Sequence, residues 1–163
     1  TALDLTDQLA ELAADNVCDT LVAIGQNRLT ATAQDSNAAS YAGKISKKDG
    51  AIDWRRSAES IERMVRGYYP WPTAYFMLNH NGKERKITIT QASVTVVRDS
   101  EYEPGEIVQA DKHGWRVACG TAILNIESVI PAGKKEMTGI EFLRGCALHT
   151  GKILTYETDD CKL

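Results

Sequence analysis

The side chains in this sequence that could act on a ligand are mostly basic. Ten basic and five acidic residues fall between positions 44 and 86, a local excess of five positive charges in a 163-residue chain of net charge −3. Such a band can attract a polyanion even on an acidic protein, because salt screens charges that lie more than about 8 Å away. A solvated helix face with internal ion pairs would give the same pattern, and composition alone favours that interpretation. The basic residues of the band are Lys44, Lys47, Lys48, Arg55, Arg56, Arg63, Arg66, Lys83, Arg85 and Lys86.

A second basic feature is a short turn in the C-terminal third of the chain. Pro131 and Gly133 punctuate this stretch, and Lys134 and Lys135 follow directly. A turn of this composition at the rim of a barrel would present both ammonium groups to solvent. Lysine is a flexible point charge that can follow a phosphate backbone without bidentate geometry. From its residues alone the turn fits a simple solvated loop as well as a phosphate contact.

Other reactive side chains are scattered along the chain. The histidines fall in predicted hairpin turns or near the C-terminus, with no nucleophile or carboxylate at a catalytic spacing. The cysteines include no Cys-x-x-Cys pair and no clustered histidine partners, which indicates reduced thiols rather than a zinc site. No glycine-rich phosphate loop is present. We therefore predict no catalytic residue and no metal site among His80, His113, His149, Cys18, Cys119, Cys146 and Cys161.

One amphipathic helix is expected to organise the chain. Ser57 can cap it, because the hydroxyl can accept a hydrogen bond from an amide in the first turn. Gly67 marks a natural end, and the prolines that follow forbid continuation. The apolar residues of the helix fall on one face at spacings of three and four: Ala58, Ile61, Met64 and Val65.

Aromatic residues flank this helix on both sides. Trp54 is expected in the core, and Asp53 is expected to order the start of the helix or to pair with Arg56. Trp71 lies between two prolines of fixed φ, so we predict that it wedges the helix against the first strand. The resulting structural corner consists of Trp54, Pro70, Trp71 and Pro72.

From position 74 onward the apolar pattern changes from a period of 3.6 to a period of 2. It predicts strands over 74–78, 85–97, 106–110, 115–119 and 122–129, with Asn81 and Gly82 in a turn. Such spacing is typical of a small closed or nearly closed barrel. Thr138 and Glu141 form a capping box for a short final helix. We predict the open form: an α+β fold with a small open OB-like β-barrel, a preceding amphipathic helix and flanking helices.

The N-terminal stretch predicts two helices. Thr6 can cap the first, the second ends near Gly25, and positions 26–40 read as a polar linker. Two helices alone cannot bury both apolar faces. We therefore expect the apolar residues to pack on a part of the protein that would precede Thr1, and we expect the chain to be a fragment.

Three motifs carry a resemblance to a known family. They are Ile52-Asp-Trp54 with Arg66-Gly-Tyr-Tyr-Pro-Trp-Pro72 after the helix, Tyr41-Ala-Gly-Lys-Ile-Ser-Lys-Lys48 upstream, and Pro131-Ala-Gly-Lys-Lys-Glu-Met137 downstream. Together they resemble the C-terminal domain of methionyl-tRNA formyltransferases over roughly residues 1 to 145. The family pattern has Ala-Phe-Asn where this chain has Gly67-Tyr68-Tyr69, which leaves the contacts of the corner open.

The resemblance implies a two-domain enzyme that moves a formyl group from 10-formyltetrahydrofolate to the methionyl amine of initiator tRNA. The family's catalytic residues lie in an N-terminal domain, so none is carried over to this chain and this part is expected to be inactive and to bind no cofactor. The family's C-terminal domain holds tRNA through a positive channel. All ten residues of the basic band, with Lys134 and Lys135, are therefore candidate tRNA contacts.

The same resemblance predicts the domain organisation and setting. Positions 1–40 would be the end of the catalytic domain and a linker, 41–147 the C-terminal barrel domain, and 148–163 a tail. The partners would be initiator methionyl-tRNA and the missing catalytic domain, in a cytoplasmic monomer without a membrane segment. Two alternatives stay open: the C-terminal domain of a sugar-nucleotide formyltransferase, and a stand-alone oligonucleotide-binding barrel.

Overall fold

The structure, a computed structural model, describes residues 1–80, 82–95 and 102–155. Internal contacts divide the chain into two compact units, Thr1–Ile45 and Ser46–Leu163. Several sequence-based expectations fall outside the described residues: the turn position Asn81, the strand end at 96–97, Cys161 and the last part of the tail. No helix among the described residues combines the length and apolarity that crossing a bilayer requires.

The first unit is built on one long helix, α1 (Ala2–Gly25), followed by a short 3-10 turn at Ser36–Ala38. Thr1 caps α1, and no residue of the helix is buried. The prediction of two helices is wrong, and Thr6 lies inside α1 instead of capping it. Polar residues in the middle lie inside this helix, and their side chains bond back to carbonyls one turn earlier: Asn16 Nδ2 to Leu12 O at 2.7 Å, and Thr20 Oγ1 to Asn16 O at 2.8 Å.

The second unit begins with the predicted amphipathic helix, α2 (Ala58–Gly67). Ser57 is its N-cap, and its hydroxyl oxygen accepts from the amide of Ser60 at 3.2 Å. The buried residues of α2 are the four that the spacing predicts: Ala58, Ile61, Met64 and Val65. The helix therefore lays its apolar face on the sheet and keeps its charged residues outside.

The sheet of the second unit has six antiparallel strands in the described residues. In chain order they are β1 (Ala74–His80), β2 (Lys83–Thr95), β3 (Ile107–Asp111), β4 (Gly114–Ala118), β5 (Ile123–Pro131) and β6 (Met137–Thr138). The spatial order is β1-β2-β5-β4-β3, and β6 pairs with β5. The strands at the two ends of this order do not pair within the described residues. The α+β class is therefore confirmed, and the sheet is open rather than closed into a barrel.

Strand β2 does not keep one alternation along its length. Ile89 pairs with Val129, but Gln91 pairs with Ser128, so Thr90 is an extra residue at this point. The Thr90 hydroxyl, which is buried, donates to the carboxylate of Glu136. Past this bulge Gln91 is exposed, whereas Ala92 and Val94 pack against the core. The bulge therefore interrupts the period of 2 that the sequence predicts along 85–97.

Aromatic rings connect the layers of the core. Trp54 and Phe76 meet edge-to-face with ring centroids 5.6 Å apart, and Phe76 meets Trp115 in the same way at 6.0 Å. Trp115 stacks on Phe142 at 5.2 Å. Phe142 lies on α3 (Gly139–Gly145), which is capped by Thr138 as predicted. These contacts join the segment before α2, two strands and α3 into one core.

The described part of the C-terminal segment pairs with the sheet. The amide of Ile107 donates to Lys152 O at 2.8 Å, and the amide of Leu154 donates to Gly105 O at 2.8 Å. Leu154 is buried. Residues 151–154 thus extend the sheet beside β3.

Candidate nucleic-acid interface

A cationic surface begins on the outer face of β1 and β2. Ile87 faces the core, so its neighbour Lys86 lies on the opposite face of the strand. The register places Lys86 beside Met77 and Thr88 beside Tyr75. The Lys86 ammonium lies 3.9 Å from the centroid of the Tyr75 ring. This cation–π contact directs the ammonium along the outer face instead of leaving it fully in solvent.

The turn that carries Lys134 and Lys135 lies next to Lys86. Pro131 ends β5 opposite Ile87, and the amide of Ala132 then donates to Lys86 O at 2.9 Å. The turn closes through Lys134 N to Pro131 O at 2.9 Å, with Gly133 at φ +74°. A left-handed φ of this kind favours glycine. Both lysines are exposed and form no ion pair within the described residues.

Another basic turn borders β1 on its other side. The 3-10 turn Lys47–Gly50 is closed by the Ser46 amide, which donates to Asp49 Oδ2 at 2.6 Å. The chain then pairs in parallel with β1, and Ile52 N donates to Tyr75 O at 2.8 Å. A Cβ at Gly50 would collide with the carbonyl oxygen of Thr73. The turn is therefore pressed against β1, and both of its lysines are exposed.

Four adjacent chain segments thus bring lysines together. The order is the 47–52 segment, β1, β2 and the end of β5 with its turn. With strands about 4.8 Å apart, three spacings cover about 14 Å. We call the set of lysines on these neighbouring segments the lysine row, and it consists of Lys47, Lys48, Lys86, Lys134 and Lys135.

The arginines near α2 lie apart from the lysine row. Helix α2 covers the core face of the sheet, the face opposite Lys86. On α2, Arg66 is paired with Glu62 through two hydrogen bonds, while Arg63 is exposed. Only part of the basic band predicted from the sequence therefore belongs to the lysine row.

The segment before α2 holds a further ion pair. Arg55 donates twice to Asp53, at 2.8 Å and 2.9 Å. These side-chain hydrogen bonds hold the pKa of the Asp53 carboxyl below its ordinary value. Asp53 thus takes Arg55 and not Arg56 as its side-chain partner, although its carbonyl accepts from the Arg56 amide at 3.1 Å.

The remaining basic candidates are not members of the lysine row. Lys83 and Arg85 are exposed at the start of β2, Arg56 is exposed before α2, and Lys44 belongs to the first unit. These residues form one band in the sequence, because sequence position does not show which strand face or layer a residue occupies.

The aromatic corner differs from its prediction. Trp54 has no exposed surface, as predicted, whereas 55% of Trp71 is exposed. The expected wedge role of Trp71 is therefore wrong. The chain between α2 and β1 turns tightly, with both prolyl peptide bonds cis and Thr73 N bonded to Tyr68 O at 2.9 Å. This turn directs Pro72 inward and Trp71 outward.

The reactive side chains of the described residues form no second site. Burial raises the pKa of the Cys119 thiol to about 12 and also raises that of Cys146. His113 and His149 are exposed, and within the described ranges no cluster of His, Cys, Asp or Glu could hold a metal ion. The geometry therefore offers a cationic surface for an anionic ligand.

Comparison with known proteins identifies the family. The profile described as "Formyl transferase, C-terminal domain" matches residues 44–147. The chain belongs to this family. It is 38% identical over 152 residues to the methionyl-tRNA formyltransferase of Nitrosomonas eutropha, covering 93% of this chain and 46% of the relative. The chain thus spans about half the length of that relative.

Solved structures show a similar fold. HypX from Aquifex aeolicus in complex with tetrahydrofolic acid superposes with a TM-score of 0.54 at 16% identity, over 88% of this chain and 26% of HypX. A variant of HypX superposes with a TM-score of 0.53. At this identity the likeness shows the fold alone.

Proposed function

We propose that this chain is the tRNA-positioning part of a methionyl-tRNA formyltransferase. The relative that matches 93% of the chain bears that name, and the chain corresponds to 46% of its length. In this proposal the remainder of the protein transfers the formyl group from 10-formyltetrahydrofolate to the methionyl amine. The present part holds the tRNA so that its acceptor end reaches the catalytic residues.

The lysine row is the observation that carries the proposal. Its members come from positions far apart in sequence, and strand pairing makes the segments that carry them neighbours. Lysines of this kind suit phosphates, which position a nucleic acid without reading its sequence. Arg63 and Arg66, on α2, are left out of this surface, and we do not assign them to the tRNA.

The apolar residues of α1 are proposed to pack against the catalytic part. They are exposed along the whole helix. A 24-residue helix with no buried residue lacks the packing that stabilises most helices in proteins. The exposed residues of this set are Leu3, Leu5, Leu9, Leu12, Val17, Leu21, Val22 and Ile24.

The test is tRNA binding by the variant Lys134→Ala/Lys135→Ala as a function of salt. Each phosphate contact contributes about 0.9 to the slope of log K against log salt for a duplex, so losing two contacts should lower the slope by roughly 2. Affinity should fall by similar factors for initiator and elongator tRNAs, because their phosphates look alike. The turn should still fold, since its closing bond uses backbone atoms.

A matched control removes the same charge from another surface. Lys112 and Arg144 are both exposed, near the β3–β4 turn and on α3, and neither belongs to the lysine row. Lys112→Ala/Arg144→Ala should leave the salt slope close to that of the parent. Equal slopes for the parent and the Lys134/Lys135 variant would overturn the phosphate role. A loss of discrimination between the two tRNAs would show instead that this part reads tRNA identity.

A further inference from the structure

Trp71 is the most exposed large apolar side chain among the described residues of the second unit. It is 55% exposed, compared with 47% for Ile153 and 40% for Tyr102. A single exposed apolar residue needs no special explanation by itself. Trp71, however, lies on a tightly held turn, since the neighbouring Pro72 is buried and Thr73 N is bonded to Tyr68 O at 2.9 Å. The indole is thus presented to solvent from a fixed backbone.

The chain segment that pairs beside the start of β1 carries two lysines a few positions before the pairing. The 50–52 segment runs parallel to the start of β1, with Ala51 paired to Tyr75 and Gly50 pressed against Thr73. Lys47 and Lys48 lie four and three positions before Ala51, and Trp71 lies four positions before Tyr75. The 3-10 turn and the turn that carries Trp71 therefore both lead into the Ala51–Tyr75 pairing.

We propose that Trp71 stacks on an unpaired nucleobase of the RNA whose phosphates contact the lysine row. This inference rests on the proposed function and adds a single-stranded element to it. An aromatic side chain beside basic groups is the usual arrangement for binding single strands, because every base has a π face and every nucleotide a phosphate. The bases of a continuous duplex are already stacked on each other, so only a splayed or terminal nucleotide is available.

The lysine row also decides between RNA and a protein partner. A contact with another apolar protein surface would not need a cationic border, and the desolvated ammonium groups would oppose it. A nucleotide satisfies both features, because its base covers the indole while its phosphate meets the lysines. Contact between Trp71 and the catalytic part is the outcome of the test that would overturn this assignment.

The experiment compares two RNA duplexes of equal length, one blunt and one with a short single-stranded 3′ overhang. The parent chain should bind the overhang duplex more tightly. Trp71→Ala should weaken binding to the overhang duplex by about 5- to 150-fold, the range for one stacked base, with blunt-duplex binding and the salt slope unchanged. Trp71→Phe should retain part of the preference. Tyr102→Ala, which removes another exposed aromatic ring, should change neither affinity.

Four readouts keep the outcomes distinct. An unchanged overhang preference in Trp71→Ala overturns stacking, whatever the lysine variant does. If stacking fails while Lys134→Ala/Lys135→Ala still lowers the salt slope, the proposed function survives. If Trp71→Ala leaves all RNA affinities intact but lowers formylation by the full-length enzyme, Trp71 contacts the catalytic part and the proposal is wrong. An unfolding midpoint equal to that of the parent excludes loss of fold as the cause of weakened binding.

Discussion

At the scale of single residues, two tryptophans of one motif have opposite environments. Trp54 is fully buried and packs edge-to-face on Phe76, whereas Trp71 is exposed. Trp54→Ala should lower the free energy of unfolding by about 3–5 kcal/mol through loss of buried area and a residual cavity. Trp71→Ala should cost less than about 1 kcal/mol. Urea unfolding of both variants measures the difference, and equal losses would contradict the assigned environments.

A glycine close to Trp54 gives a second residue-scale prediction. Gly120 N donates to the carbonyls of Trp54 and Arg56, both at 2.9 Å, and a Cβ at this position would collide with Arg55 O. Because backbone cannot yield as a side chain does, Gly120→Ala should destabilise the protein by about 1–3 kcal/mol. Gly67→Ala is the matched control, since nothing lies within 4 Å of its Cβ. Equal unfolding midpoints for the two variants would refute the close approach.

At the scale of elements, the cap of α3 predicts a pH dependence. Glu141 Oε2 accepts from Thr138 N at 2.8 Å and from Thr138 Oγ1 at 2.9 Å. The hydrogen bond from the Thr138 amide lowers the pKa of the Glu141 carboxyl most, and the hydrogen bond from the Thr138 hydroxyl lowers it further. Because this pKa is lowered in the folded state, the cap contributes its full stabilisation at pH values above the ordinary pKa of glutamate. This stabilisation is lost as the pH falls through the pKa that Glu141 has in the folded protein.

Carboxyl-carbon NMR titration tests this cap. The pKa of Glu141 should lie below the ordinary glutamate value in the parent. Thr138→Ala should raise it only part of the way, because the amide donor remains. Thr138→Ser keeps the hydroxyl and should leave the pKa near that of the parent. An identical pKa in Thr138→Ala and the parent would show that the hydroxyl does not hold the carboxylate.

The same scale shows what the sequence could and could not predict. The caps of α2 and α3 and the buried face of α2 follow from local spacing, and all are present. At the bulge the Thr90 hydroxyl donates to Glu136, 46 residues away, and alternation alone does not predict such a long-range contact. The stretch predicted as two helices forms the single helix α1, with Thr6 in its interior. Trp71 was misplaced because hydrophobicity does not specify which residue of a turn faces inward.

At the scale of the whole molecule, the candidate interface depends on topology more than on composition. The local excess of positive charge predicted a basic surface, but the members of the lysine row are selected by the β1-β2-β5 order and by two turns. The arginines of α2, equally charged and close in sequence, lie on the other side of the sheet. The charge pattern alone is also compatible with a solvated face, and the choice of candidate residues required strand pairing.

The division into two units leads to a prediction about the whole chain. Every buried hydrophobic residue among the described residues lies between Ile52 and Leu154, in the second unit, and α1 buries none. Residues 46–163 alone should therefore unfold with a free energy within about 0.5 kcal/mol of the full chain. The urea m-value should also be close to that of the full chain, because it scales with the surface that unfolding exposes.

Far-UV circular dichroism separates the contribution of α1 from that of the second unit. In the full chain, α1 should lose helicity gradually at low urea, since a helix without tertiary packing is marginal in water. The shortened chain should lack this phase and keep the cooperative transition. A stability loss of more than about 1 kcal/mol on shortening would mean that α1 packs on the second unit. In that case its apolar residues could not serve the catalytic part, and the proposed role of α1 would be wrong.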